Sequence, residues 1–445
     1  MTKYRPMALA AIALGCCISV FMGLGISRNL ASGRLTDFKG IYYPARCLLE
    51  GKDPYKDGEI LRVYEADGGQ YPADPEQSRI VRRSLGTAVN LPTTFVLAAP
   101  FALLPESIAG AIWAALVVAS FTFAAWLMWK LAEPYAPGVA ALFLAFLLGG
   151  NEILFAAGNT AGLVIGLCGI ASWCLIEERF LWAGTLCMGL SLAIKPHDTG
   201  LIWLYFLLAG GMQRRRSLQA LAVATAIYLV MVVWLSLVAP HWATEMKENL
   251  AIINARGDLN DPGPTGLSKH SADPVVDLQA ALSIFRDDPQ FYNEIGYLVG
   301  GILILPWAVR AARSLPSRRS RLIGVAAAAA LSMLPFYHRI HDAKLLLLTV
   351  PAFALTWSAG GAAKWAALVF ESLAVLFISD VAMALFLIAT RDIHPAASGF
   401  AGQFLEMLLT RPAPIALLLV ALFYLHAFLR RGKSNENPRI AEATL

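Results

Sequence analysis

Apolar residues along this chain gather in long blocks separated by polar stretches. The blocks fall at 7–27, 106–130, 138–150, 157–176, 181–194, 198–211, 217–239, 294–309, 322–336, 343–358, 365–389 and 412–429. A helix rising 1.5 Å per residue crosses a hydrocarbon layer of roughly 30 Å in about 20 residues, and most of these blocks approach that length. They predict an all-α polytopic membrane protein with about 12 transmembrane helices. The blocks at 138, 181 and 198 are short, which suits helices of little tilt or helices partly unwound around a cavity. Residues 91–105, LPTTFVLAAPFALLP, are apolar, too short to span and bounded by prolines. They are expected to form an interfacial or re-entrant helix sheltered by protein.

The polar stretches sort by side. Threading the blocks alternately puts the N-terminus, 131–137, 177–180, 212–216, 310–321, 359–364 and the C-terminus on one face, where GMQRRR, RAARSLPSRRSR and LRRGK lie. Short loops rich in Lys and Arg are cytoplasmic by the positive-inside rule, so both termini are expected there. The opposite face receives the long loops 28–105, 240–293 and 390–411 and the turns 151–156, 195–197 and 337–342. The stretch 28–90 mixes nine acids, ten bases and five tyrosines, as a folded water-facing subdomain would. The expected organisation is one catalytic membrane domain over 1–430, with outer loops 28–105 and 240–293, and a disordered cytoplasmic tail over 431–445.

Composition agrees with that frame. Of 445 residues, 57% are hydrophobic and 15% charged, which excludes soluble enzymes, nucleic-acid-binding modules and secreted disulfide scaffolds. The net charge of +5 conceals an asymmetry: 17 Lys and Arg against 5 Asp and Glu fall inside, and 19 against 24 outside. Five of the six cysteines lie in apolar blocks, where a thiol behaves as a small hydrophobe. The block 7–27 is read as a retained first span, because SRNLASG after it makes a poor cleavage site.

Several polar constellations stand at the outer boundary. Thr36-Asp37-Phe38-Lys39 precedes Ile41-Tyr42-Tyr43-Pro44-Ala45-Arg46. Asp37 there is suited either to general-base work at the membrane surface or to capping the helix that follows. Lys195-Pro196-His197-Asp198 lies between two short blocks. It is either a turn in which Asp198 caps the next helix, or a place where Lys195 meets a phosphate. Tyr337-His338-Arg339-Ile340-His341-Asp342 concentrates two imidazoles, a guanidinium and a carboxylate. His338, His341 and Asp342 have the spacing of a metal half-site with no further ligand apparent, so an anion site in which Asp342 orients an imidazole is the more economical reading. The loop 240–293 adds Arg256, the turn DPGPTG and Lys269-His270. Glu371 and Asp380 lie within the block 365–389, in functional or structural roles. Tyr42, Tyr43, Tyr55 and Tyr71 suit either sugar stacking or an interfacial belt.

Asp-Phe followed by Tyr-Tyr-x-Ala-Arg and Gly-x-x-Pro-Tyr, the segment from Asn90-Leu91-Pro92 to Pro105, the Lys195-Pro196 turn and the late His-Asp before a Leu-rich block together resemble glycosyltransferase family 87, once grouped as DUF2029. The resemblance runs in order over most of the chain. It implies a GT-C fold and a hexosyltransferase acting on the extracytoplasmic face of a bacterial cytoplasmic membrane. The donor would be a polyprenyl-phosphate sugar, such as a mannose donor, and the acceptor a glycolipid or glycan in cell-envelope glycolipid biosynthesis. It also implies that Asp37 is the catalytic carboxylate and that His341 and Asp342 are the late His-Asp element. Two departures, Gly158-Asn159-Thr160-Ala161 for a Gly-Gln-x-Asn pattern and His197 where Gln is common, bear on donor or acceptor more than on reaction type.

The expected chemistry is inverting transfer. Asp37 removes the acceptor proton while Lys195, His338, Arg339, His341 and Arg256 stabilise the leaving phosphate, with Asp342, Tyr42 and Tyr43 in support. No Asp-x-Asp pair marks a metal, so no cofactor and no metal ion are expected, and the partners are the two substrates and membrane lipids, without nucleic acid. The rivals are a transporter or flippase of lipid-linked sugars, and a glycan polymerase or ligase of similar architecture.

Overall fold

The computed structural model describes residues 4–29, 35–266, 274–313, 317–390, 393 and 399–430. The tail 431–445 and Lys269-His270 lie outside the described residues. Among those described the architecture is all helical, and the one β-type pairing is an isolated antiparallel bridge between Val275 and Arg339. Every apolar block becomes helix. Seven of these are long and apolar enough to cross a membrane: Arg5–Gly25, Glu106–Ala132, Thr160–Glu177, Gly211–Val238, Pro289–Arg313, Gly361–Ile378 and Pro412–Arg430. The remaining blocks form shorter helices, including Pro137–Leu148, Leu181–Ile194 and Pro196–Leu208.

Burial separates core helices from peripheral ones. Thr160–Glu177 packs against Glu106–Ala132 and Leu181–Ile194, and its small residues allow the approach: a Cβ on Gly166 would lie 2.7 Å from the Ser120 backbone. Arg318–Ser332 contributes an unbroken buried run from Leu322 to Ser332. By contrast, Gly211–Val238 keeps Leu237, Val230 and Val233 exposed, as a lipid-facing helix does.

The block 365–389 is not one span. It breaks at Ser379 into Gly361–Ile378 and Asp380–Thr390. The cause lies on another segment: the buried Lys344 ammonium donates to the Gly150 and Ile378 carbonyls and to Asp380 Oδ1 at 3.0 Å. Asp380 Oδ2 accepts from the Ile153 amide at 2.6 Å. The Ile378 carbonyl freed by the break therefore has a partner without water.

Between residues 36 and 102 four helices, Thr36–Leu49, Asp57–Ala66, Pro75–Gly86 and Pro92–Ala102, pack together. Helix Thr36–Leu49 buries Phe38, Ile41, Tyr42, Ala45 and Leu48, a stripe at i, i+3, i+4, i+7 and i+10, against helix Pro92–Ala102. Helix Pro92–Ala102 is itself buried by protein, as its composition required.

Candidate active site

Four chain turns meet at one cluster, and each is set by local sequence. Helix Thr36–Leu49 is entered through Leu35, whose backbone is left-handed and whose amide donates to the Ala156 carbonyl at 2.9 Å. This places Asp37 in the first turn beside the Gly158-Asn159 turn, and no side chain caps the helix, so the capping role does not apply. Gly158 has φ +64°, and a Cβ there would lie 2.8 Å from Leu35 Cδ2. Only glycine meets both demands without strain.

Asn159 caps helix Thr160–Glu177, its Oδ1 accepting from the Ala161 amide at 2.8 Å. Its Nδ2 is thereby turned outward. It donates to Asp37 Oδ2 at 2.6 Å and lies 3.1 Å from His341 Nε2. One amide joins the proposed base to the late His-Asp element.

Pro196 ends helix Leu181–Ile194 by forcing Lys195 into extended backbone, φ −146° and ψ 78°. Two carbonyls freed by the break are taken up from helix Pro92–Ala102: Thr93 Oγ1 donates to Ala193, and Thr94 Oγ1 to Ile194 at 3.3 Å. The Lys195 ammonium donates to Asp342 Oδ1 and lies 3.4 Å from Asp198 Oδ2. Asp198 sits in the first turn of Pro196–Leu208 without capping it.

The turn 334–342 is clamped from behind by residues 274–279. The Val276 amide donates to the His338 carbonyl at 2.9 Å, Ile340 to Pro274 at 3.1 Å, and Gln279 Nε2 to the Pro335 carbonyl at 2.7 Å. Asp342 Oδ2 accepts from the Arg339 amide at 2.9 Å, and Asp342 Oδ1 lies 3.4 Å from His341 Nε2. His338 is fully buried, its Nδ1 2.8 Å from the Phe336 carbonyl and its Nε2 3.4 Å from Asp198 Oδ1.

Charge in the cluster is concentrated. Burial acts against the Lys195 ammonium, but Asp198 and Asp342 outweigh it and hold its pKa above the ordinary lysine value. Burial likewise acts to raise Asp342, yet the Lys195 ammonium holds its carboxyl well below the usual carboxylate range. Both are ionised at neutral pH.

Of the residues anticipated from sequence, Asp37, Lys195, His338, His341 and Asp342 come together. Arg339 shares their turn but points its guanidinium at the 240–293 loop, donating to the Leu259 carbonyl at 2.7 Å and to the Tyr337 hydroxyl. Arg256 is exposed and paired with Asp287, and it makes no contact with the cluster among the described residues. Tyr42 and Tyr43 are buried in an aromatic ladder with Phe38 and Tyr64, and the Tyr42 hydroxyl donates to the Leu104 carbonyl at 2.7 Å. They brace the helix that carries Asp37. Asn159 and Asp198, which link the parts, were read from sequence as a motif departure and a cap.

A cavity of about 410 Å³ opens beside the cluster. Its lining includes Leu192, His197, Leu201, Trp203, Leu204 and Phe336 and is almost wholly apolar.

These features define a class: a polytopic helical membrane protein in which an acid–base cluster, assembled from helix ends, adjoins an apolar cavity. The sequence match is narrower. The model of glycosyltransferase family 87 matches residues 89–334, more than half of the chain, and the chain belongs to that family; it is a membrane glycosyltransferase. No curated protein and no solved structure matches it. Asn159, Lys195 and Asp198 fall inside the matched range, whereas Asp37 and the His338–Asp342 turn fall outside it and join the site through the contacts above.

Proposed function

We propose that the chain transfers a hexose from a polyprenyl-phosphate donor to a hydroxyl of a glycolipid or glycan at the extracytoplasmic face of the membrane. The observation that carries this reading is the bond from Asn159 to Asp37 Oδ2 at 2.6 Å, which couples the carboxylate to the buried Lys195–Asp342 cluster beside an apolar cavity. Asp37 is the base. It takes the acceptor proton as the hydroxyl oxygen attacks the anomeric carbon and the bond from that carbon to the donor phosphate breaks. Direct displacement inverts the anomeric centre. Negative charge grows on the departing phosphate, and Lys195 and His341 stabilise it in a site where burial makes each contact stronger than in water. Arg339 holds the 240–293 loop over the turn. The isoprenoid chain of the donor lies in the apolar cavity, which starts at His197.

Purified protein incubated with radiolabelled polyprenyl-phosphate hexose and a membrane lipid extract tests the reading. A new labelled glycolipid, absent without protein, is the expected product. Relocation of intact donor across a vesicle, with no new product, would replace the transferase reading by a flippase.

A further inference from the structure

The cluster holds a second constellation that the transfer chemistry does not use. His197, Asp198 and His338 each present one ligand atom, and these atoms lie within 4.8 Å of one another. His338 Nε2 and His197 Nε2 each stand 3.4 Å from Asp198 Oδ1. In a tetrahedral site with metal–ligand bonds of about 2.0–2.1 Å, neighbouring ligand atoms stand about 3.3 Å apart. The two imidazole–carboxylate distances match that edge.

The hydrogen bonding points the same way. The Phe336 carbonyl can only accept, so His338 Nδ1 carries the proton of that bond and, in the neutral ring, Nε2 carries a lone pair. That lone pair faces a carboxylate oxygen. His338 Nε2 and both Asp198 oxygens are buried and make no hydrogen bond among the described residues. Buried acceptors aimed at one another are costly unless something positive lies between them. A charge-assisted hydrogen bond would draw them to about 2.7–2.9 Å, closer than they are.

Their surroundings have the form of an outer shell. The backbone bond to Nδ1 fixes the tautomer and ring orientation of His338, as a carbonyl commonly does for a metal-bound histidine. Lys195 faces Asp198 Oδ2 at 3.4 Å, leaving Oδ1 to the imidazoles. His197 is the exposed member, its side chain 40% accessible, so it can close on an ion entering from the cavity it lines. Imidazole with one carboxylate suits Zn²⁺ and similar divalent transition metals more than Mg²⁺ or Ca²⁺.

We infer that His197, Asp198 and His338 form a three-ligand site for a divalent transition metal, with its open position toward the apolar cavity. This departs from the metal independence expected when no Asp-x-Asp pair is found, because the ligands come from two distant segments that only the fold unites. Resting on the transferase reading, the open position would take an oxygen of the donor phosphate and thereby anchor the headgroup next to Lys195.

Full-length protein carrying a tag without histidine, purified in detergent and stripped with chelator, is titrated with Zn²⁺ by calorimetry and with Co²⁺ by visible absorption. The site predicts one equivalent per chain and the intense visible bands of tetrahedral Co²⁺. His338→Ala and Asp198→Asn abolish both signals. His197→Gln, at an exposed position that spares the fold, weakens binding more than the 10–100-fold that loss of an outer-shell partner costs. His241→Gln, elsewhere on the surface, changes nothing. Absence of stoichiometric binding, or binding unaltered in His197→Gln, overturns the site and means that a proton lies between His338 and Asp198. Because no donor is present, that result leaves the transferase reading standing. If metal binds and polyprenyl phosphate leaves the Co²⁺ spectrum unchanged, the headgroup role fails while the site remains.

Discussion

Two lysines of this chain are withdrawn from water, and both meet an aspartate. Lys344 is fully buried, and its ammonium has three acceptors, two backbone carbonyls and Asp380 Oδ1, while Asp380 takes a further backbone amide. Lys195, its side chain 15% exposed, faces two carboxylates, Asp342 and Asp198, and the Asp198 carboxylate accepts no hydrogen bond among the described residues. The first pair is saturated by backbone and closes a helix break. The second has acid to spare and stands beside a cavity. Residue type does not distinguish a structural ion pair from a reactive one; the count of unmet partners does.

Substitution at each lysine sharpens that contrast. Lys344→Met removes the ammonium that Asp380 Oδ1 and two carbonyls share, and removing one member of a buried pair costs about 3–5 kcal/mol. Thermal unfolding in detergent should show the loss, while the protein that does fold keeps its activity per molecule. Lys195→Met also leaves two buried carboxylates, Asp342 and Asp198, without their cation, so its loss of stability is of the same order. Here, however, the protein that folds loses activity: removing one electrostatic stabiliser of a transition state lowers kcat by about 10²–10³, or roughly 2.7–4 kcal/mol. Activity per folded molecule preserved in both variants would erase the distinction.

Smaller effects probe the frame around the site. Gly158→Ala puts a side chain on a left-handed residue, at a cost of about 1–2 kcal/mol, and pushes on Leu35. Because that turn carries Asn159 to Asp37, kcat should fall while donor KM changes little. The exposed Arg256–Asp287 pair should matter least: Arg256→Ala is expected to change stability by less than about 1 kcal/mol, measured by unfolding against the parent protein.

Much of the fold was open to reading from the chain because the bilayer imposes a length. Each apolar block became a helix, and the proline-bounded segment 91–105 became the sheltered helix Pro92–Ala102. What hydropathy could not register is the break at Ser379, since its cause, Lys344, belongs to another block. The site divides in the same way. Asp37, Lys195, His341 and Asp342 stand in polar turns at block boundaries, where charge draws notice. Asp198 looks like an ordinary capping residue from its own neighbours and does not cap, while Asn159, a motif departure in sequence, is the one that does. Their partners are over 100 residues away, at Asp37, His338 and His341, so no local pattern reveals them. Tyr42 and Tyr43 show the opposite limit: their spacing says that they share a helix with Asp37, but only packing says that they face inward.

The most direct test concerns Asp37. Asp37→Asn keeps the shape of the side chain and removes its capacity to take a proton. Transfer of radiolabelled hexose from polyprenyl phosphate by the purified variant, measured in a single turnover with saturating donor, should fall by about 10²–10⁴ relative to the parent while donor binding persists. Transfer at the parent rate would contradict the account and move the base elsewhere.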